Sequence, residues 1–112
     1  MTPELGGVIV AVDDPHISYA LERFIRAVDS LMTRRGDIRS RLHSAFMFVQ
    51  PIKPDDLPEP FRTNLKWVFD RLLEDGDIDA TLSTMTYSTG TKIAERFMEL
   101  EDKLRSYSHG HQ

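Results

Sequence analysis

The sequence predicts an all-α fold: a single small bundle-like domain of four to five helices, with a short extended arm at the N-terminus. Three observations lead to this prediction. Apolar residues recur at alternating steps of four and three in several segments, which is the spacing of one helix face. Capping residues precede these segments, and glycines or prolines follow them. The chain has 112 residues, which is the length of one domain.

Residues 1–13 are predicted to form the extended arm. Gly6 and Gly7 interrupt regular structure, and residues 8–12 are a short run rich in β-branched side chains. A single strand cannot satisfy its own backbone N–H and C=O groups. We therefore expect this segment either to pair with the same segment of a second copy or to pack as an arm against the bundle.

The first helix is predicted to begin at Asp14, because Asp caps free N–H groups and Pro15 suits the first helical position. It ends near Gly36, after two arginines that suit a helix C-terminus. Ala20, Ile25 and Met32 widen its apolar stripe. The stripe itself consists of Ile17, Leu21, Phe24, Val28 and Leu31.

A second helix is predicted to follow Asp37, and a proline-rich connector to follow that helix. Phe46 and Phe48 broaden the apolar stripe of the second helix, which consists of Ile38, Leu42, Ala45 and Val49. Four prolines between residues 51 and 60 exclude a helix interior. The next helix is expected to begin between residues 57 and 61, with Asp56 as its cap.

The second half of the chain predicts three more helical segments. The third helix carries Phe61, Leu65, Val68 and Leu72, and it stops at Gly76. A shorter segment carries Ile78, Leu82 and Met85. A break at Ser88, Thr89 and Gly90 is expected to separate it from the last helix, which carries Ile93, Phe97, Leu100 and Leu104. The helical domain is expected to span residues 14–106, and residues 107–112 to form a flexible tail. Short connectors predict antiparallel neighbours.

Composition narrows the classes of function. The chain has 14 Lys and Arg against 18 Asp and Glu, a net charge of −4, which argues against a protein that coats nucleic acid without specificity. It has no Cys, so disulfides, thiolate nucleophiles and sulfur-based zinc sites are excluded. The longest apolar run is far too short for a membrane span. We expect a cytoplasmic protein without membrane contact.

The arginines form the strongest local departure from this charge. Residues 22–43 contain six Arg and three acidic residues. Four of the arginines, Arg34, Arg35, Arg39 and Arg41, lie at the turn between the first two helices. Guanidinium groups bind phosphate, RNA or acidic partners in a bidentate way. The simpler interpretation, which we favour, is that these arginines stabilise the helix end and are solvated.

Three large side chains lie beside the predicted core stripes. Met47 and Phe48 flank the stripe of the second helix, and Trp67 lies one residue off the stripe of the third. An exposed patch of Met and aromatic residues is typical of self-association or partner surfaces. Burial in the core is the alternative for each residue taken singly.

No residues are spaced as a nucleophile, base and orienting group or as a metal cluster. His109 and His111 provide only two ligands, so no metal or cofactor is expected. We therefore predict a non-enzymatic helical interaction module, such as an adaptor, accessory or regulatory subunit. Its expected partners are a second copy, as a homodimer or higher oligomer, or a larger protein. The first alternative is binding of nucleic acid or a phosphate ligand through the four arginines. The second is a small enzyme whose site, built from His43 or carboxylates, is shared between subunits.

Overall fold

The computed structural model describes residues 14–108, and it confirms the all-α prediction. Within this range there are five α-helices, one 3₁₀ turn and no strand. The helices are α1 (Pro15–Thr33), α2 (Ile38–Val49), α3 (Phe61–Leu72), α4 (Ile78–Thr84) and α5 (Tyr87–Ser108), and the 3₁₀ turn is Pro54–Asp56.

The first two helices begin where their capping residues predict. The Asp14 carboxylate accepts a hydrogen bond of 2.9 Å from the N–H of His16. The Asp37 carboxylate accepts bonds of 2.8 and 3.3 Å from the N–H groups of Arg39 and Ser40. Gly36 lies between α1 and α2 with φ of +107°, a conformation that side chains with a Cβ rarely adopt. These groups together fix the tight turn between the two helices.

The first two helices run antiparallel, as the short connector between them predicts, and α5 runs antiparallel to α3. The side chain of Arg23, in the first half of α1, bonds the carbonyl of Phe48 at the end of α2. Phe24 of α1 contacts Phe97 of α5, with ring centroids 5.7 Å apart. The first residue of α3, Phe61, meets Tyr107 at the end of α5 edge-on at 5.4 Å. The result is an up-and-down bundle in which α1 packs against α2 and α5.

The core takes side chains from every α-helix and from the connector between α2 and α3. Its largest fully buried side chains are Phe24, Phe97, Ile17, Leu31, Leu42, Leu65, Leu72, Ile93, Leu100, Leu104, Val49 and Val68. On α1 the structure corrects the predicted stripe. Leu21 and Val28 are only half-buried, whereas Ala20 and Ala27 are fully buried. Small side chains at these two positions allow α2 to approach α1 closely.

The predicted break at residues 88–90 is wrong. The last helix begins at Tyr87, and the Thr86 hydroxyl accepts a 3.1 Å bond from the N–H of Thr89, the role of a capping residue. Gly90 lies inside the helix and is buried. A Cβ added there would lie 3.0 Å from Cγ2 of Ile38. Gly90 therefore permits a close approach between α5 and α2 and does not end a helix.

Two other boundaries differ from the predicted ones. Asp56 does not cap α3: it lies in the 3₁₀ turn, and α3 begins at Phe61 without a side-chain cap. The last helix continues to Ser108, past the expected bound at residue 106, because Tyr107 is half-buried against Phe61. The predicted N-terminal arm and the histidines 109 and 111 lie outside the described residues.

No helix in residues 14–108 combines the length and the apolar character needed to cross a bilayer.

Candidate functional site

The four arginines of the predicted cluster differ in burial and in the groups that they contact. Arg41 is half-buried, and its guanidinium donates a 2.9 Å hydrogen bond to the carbonyl of Leu31. It therefore ties α2 to the end of α1 and is held by the fold. Arg35 is exposed in the turn between these helices. Only Arg34 and Arg39 line a common groove.

This groove lies between the end of α1, the outer side of α2 and α4, and its volume is about 510 Å³. It is lined by Arg34, Arg39, Ser40, His43, Ser44, Asp79, Leu82 and Ser83. Nε2 of His43 lies 3.4 Å from Oδ1 of Asp79, whose side chain is 85% exposed. The groove is open to solvent, so it does not form the water-excluded pocket that tunes a catalytic histidine.

Arg39 is oriented by Asp37. Its guanidinium donates a 3.1 Å bond to the Asp37 carboxylate, which also caps α2. These hydrogen bonds, first from the Arg39 side chain and then from the N–H groups of Ser40 and Arg39, hold the pKa of Asp37 below its ordinary value of 3.8. Asp37 therefore holds the Arg39 guanidinium in place at the start of α2.

Met47, Phe48 and Trp67 do not form one patch. Phe48 is half-buried beside α1, where the guanidinium of Arg23 lies 5.7 Å from its ring centroid. Trp67 is half-buried on the other side of the bundle, where the guanidinium of Arg96 in α5 lies 4.3 Å from its ring centroid. Met47 is exposed on the outer side of α2. Only Met47 has the exposure expected of a contact residue.

A second apolar series on α1 is more prominent. Leu21, Ile25, Val28 and Met32, which we call the α1 strip, follow one another at steps of four, three and four. Leu21 and Val28 are half-buried, whereas Ile25 is 39% and Met32 is 67% exposed. Side chains at this spacing form one continuous ridge along a helix. The α1 strip is therefore a row of large apolar side chains, half of them in solvent.

The α1 strip continues towards α5. Ser108, at the end of α5, lines a groove of about 340 Å³ together with Ser18, Leu21 and Ile25 of α1. The end of α5 therefore adjoins the first half of the α1 strip. Met98, earlier on α5, is also 38% exposed.

Sequence reasoning noticed Ile25 and Met32 only as a widening of the core stripe. The signal in the sequence is that α1 contains two series of apolar residues at helical spacing, and the second series is shifted by one residue from the first. One of them, with Ala20 and Ala27, has small residues seven apart, which mark a close helix contact.

Within residues 14–108, no group of three or more His, Asp or Glu side chains is placed to hold a metal ion. Comparison with protein-family models, with curated proteins and with solved structures finds no match to this chain. The functional interpretation therefore depends on the surfaces described above.

Proposed function

We propose that this protein is a non-enzymatic interaction module that forms a homodimer through the face made by the α1 strip and the end of α5 that adjoins it. One observation carries the proposal: Ile25 and Met32 lie exposed on a row that continues the helical spacing of Leu21 and Val28. Scattered exposed apolar residues are ordinary, but a continuous row on one face is typical of an interface.

The size of this face suits a reversible dimer. A helix of 19 residues is about 28 Å long, and two packed helices present a face roughly 20 Å wide. One copy therefore offers roughly 550 Å², and a pair buries about 1,100 Å², which is the lower end of the range for specific interfaces. We expect a dimer with a Kd in the micromolar range rather than a permanent complex.

The position of the face suits a second copy as its occupant. In a two-fold contact each partner presents the same surface. Ile25 lies near the middle of α1. A two-fold axis perpendicular to α1 at Ile25 places the two α1 helices antiparallel, so that each helix covers the α1 strip of the other along its whole length. Glu22 and Arg26 on the outer flank are 3.4 Å apart. This ion pair neutralises charge that would otherwise repel the second copy.

The proposed role is that of an accessory or regulatory subunit in the cytoplasm. The chain has no Cys, and therefore none of the disulfides on which small secreted domains depend. A dimer of this kind presents every other surface twice, which raises its avidity for a larger partner that is itself repeated. A larger partner is thus compatible with the dimer and does not replace it.

Sedimentation equilibrium of the wild-type protein and two Met→Asp variants tests the proposal. We expect a monomer–dimer equilibrium for the wild type. Met32→Asp should raise the Kd at least about tenfold, because an unpaired carboxylate is buried in the contact. Met47→Asp is the matched control, since it makes the same change at another exposed helical position, on α2.

A wild-type protein that stays monomeric at several hundred micromolar would contradict the proposal. So would dissociation caused by Met47→Asp with no effect of Met32→Asp, because the interface would then lie on α2.

A further inference from the structure

We propose that the groove lined by Arg34, Arg39 and His43 binds the phosphate group of a small ligand. This site is separate from the dimer face: it lies between the end of α1, α2 and α4, whereas the α1 strip lies on the exposed side of α1 that adjoins the end of α5. The proposal does not depend on the dimer, and either can fail without the other.

Three basic side chains meet at this groove from two helices. Arg34 follows the last residue of α1, where it is the C-cap residue. Arg39 and His43 lie one turn apart on α2 and share a side of that helix. The tight turn at Gly36 brings the end of α1 and the start of α2 together. Side chains that the chain separates by up to nine residues, two arginines and a histidine, therefore line one concave surface.

The guanidinium groups have donors to offer. Arg34 makes no ion pair with any side chain in residues 14–108. Arg39 uses one N–H of its guanidinium for Asp37, and an arginine has five such donors. Because Asp37 holds Arg39 in place, less side-chain entropy is lost when a phosphate binds. This pre-organisation distinguishes Arg39 from a freely solvated arginine.

The groove also contains hydroxyl and apolar groups. Ser40 and Ser44 line it beside Arg39 and His43 on α2, and Leu82 of α4 forms its apolar part. The hydroxyls of Ser40 and Ser44 can donate to phosphate oxygens, and an apolar wall suits the carbon skeleton of an organic phosphate. The groove has a volume of about 510 Å³ and is open to solvent, so a bound ligand would keep part of its surface in water.

Asp79 competes with a ligand anion for the side chain of His43. Its carboxylate lies 3.4 Å from His43 and is 85% exposed, so it can turn into solvent when an anion replaces it. A dianionic phosphate places two negative charges where Asp79 has one, and it also reaches both arginines. Removing Asp79 should therefore strengthen binding.

A small ligand fits the charges better than nucleic acid does. The whole chain carries −4, so no broad positive field attracts a polymer. Arg41 is committed to the carbonyl of Leu31, and Arg35 does not line the groove. The positive charge is therefore local, with room for one phosphate group or two adjacent ones.

Isothermal titration calorimetry with inorganic pyrophosphate tests the site on the full chain. We expect saturable binding at one site per chain. Arg34→Gln combined with Arg39→Gln should weaken binding at least about tenfold, since each charge-assisted bond contributes substantially. Arg35→Gln is the control: it removes one arginine charge from a neighbouring position outside the groove and should change the Kd less than about twofold. Asp79→Asn should tighten binding several-fold.

Circular dichroism of each variant confirms that it is folded. A loss from Arg35→Gln as large as that from the Arg34→Gln and Arg39→Gln double variant would overturn the proposal, because it indicates diffuse attraction. Non-saturable binding to the wild type would overturn it as well. Binding of a single-stranded RNA oligonucleotide with a steep dependence on salt, in the absence of pyrophosphate binding, would show an extended nucleic-acid surface instead.

Discussion

The two apolar sides of α1 share one helical spacing but differ in how far solvent reaches them. The inner side, Ile17, Ala20, Phe24, Ala27 and Leu31, is at most 2% exposed. The outer side is the α1 strip, in which Ile25 and Met32 remain in solvent. Periodicity identifies a helix face that avoids water, but it does not say whether the same chain or another molecule covers that face.

What separates the two sides is the size of the side chains. The inner side alternates large residues with Ala20 and Ala27, both fully buried, so α2 can approach α1 closely. The outer side contains only large side chains, Leu21, Ile25, Val28 and Met32. Met32 is flexible and polarisable, and it suits a contact between surfaces that form separately.

The largest expected effect comes from truncating the inner side. Phe24→Ala should lower the free energy of unfolding by about 3–5 kcal/mol, because the Phe24 ring is buried against Phe97. Met32→Ala should change it by less than about 0.5 kcal/mol in the monomer. Urea unfolding at low micromolar concentration measures both. Equal losses would show that the outer side belongs to the core.

Enlarging a small residue on the inner side tests the close approach of α2. Ala27→Leu should cost about 1–3 kcal/mol, because added methylene groups have no space in a packed contact. Ile25→Leu, which changes the shape but not the size of a side chain on the outer side, should be close to neutral. A neutral Ala27→Leu variant, measured by the same unfolding experiment, would contradict the tight packing between α1 and α2.

The link that holds α2 to the inner side of α1 gives a smaller effect. Arg41→Ala should lower the free energy of unfolding by about 1 kcal/mol, because it removes the bond to the Leu31 carbonyl. Arg35→Ala, an exposed change in the same region, should cost less than about 0.5 kcal/mol. A larger loss from Arg35→Ala than from Arg41→Ala would contradict the stabilising role of the hydrogen bond between Arg41 and Leu31.

The smallest effect concerns the start of α2 and is visible only in acid. The pKa of Asp37 is lowered in the folded chain, so its carboxylate contributes stability above the ordinary pKa of 3.8. That contribution is lost as the pH falls through the lowered pKa. Asp37→Asn keeps a capping side chain but does not titrate. The Tm of this variant should therefore fall less steeply than that of the wild type between pH 5 and pH 2, and identical slopes would contradict the assignment.

The sequence was sufficient for the fold class and for most helix starts, because capping residues such as Asp14 and Asp37 act locally. It was misleading at Gly90. A glycine in a polar segment suggests a break, but here it provides space for Ile38, a residue more than fifty positions away. Only the tertiary arrangement distinguishes these two uses of glycine.

The candidate surfaces show the same limit. The four arginines are neighbours in sequence, yet Arg41 turns to the inner contact while Arg34 and Arg39 join His43 and Asp79. Asp79 could not be assigned to this groove from spacing, because α4 is brought to α2 by packing alone. The exposed row on α1 was present in the sequence, but its separation from the core stripe depended on where α2 and α5 lie.

The most direct test of the central claim is disulfide cross-linking of single-cysteine variants. The chain has no Cys, so each introduced thiol reports on one position. In a two-fold contact centred near Ile25, Ile25→Cys lies close to its own equivalent in the second copy and should form a covalent dimer rapidly under mild oxidation. Met47→Cys should remain monomeric under the same conditions. Rapid cross-linking at position 47 with none at position 25 would contradict self-association through the α1 strip.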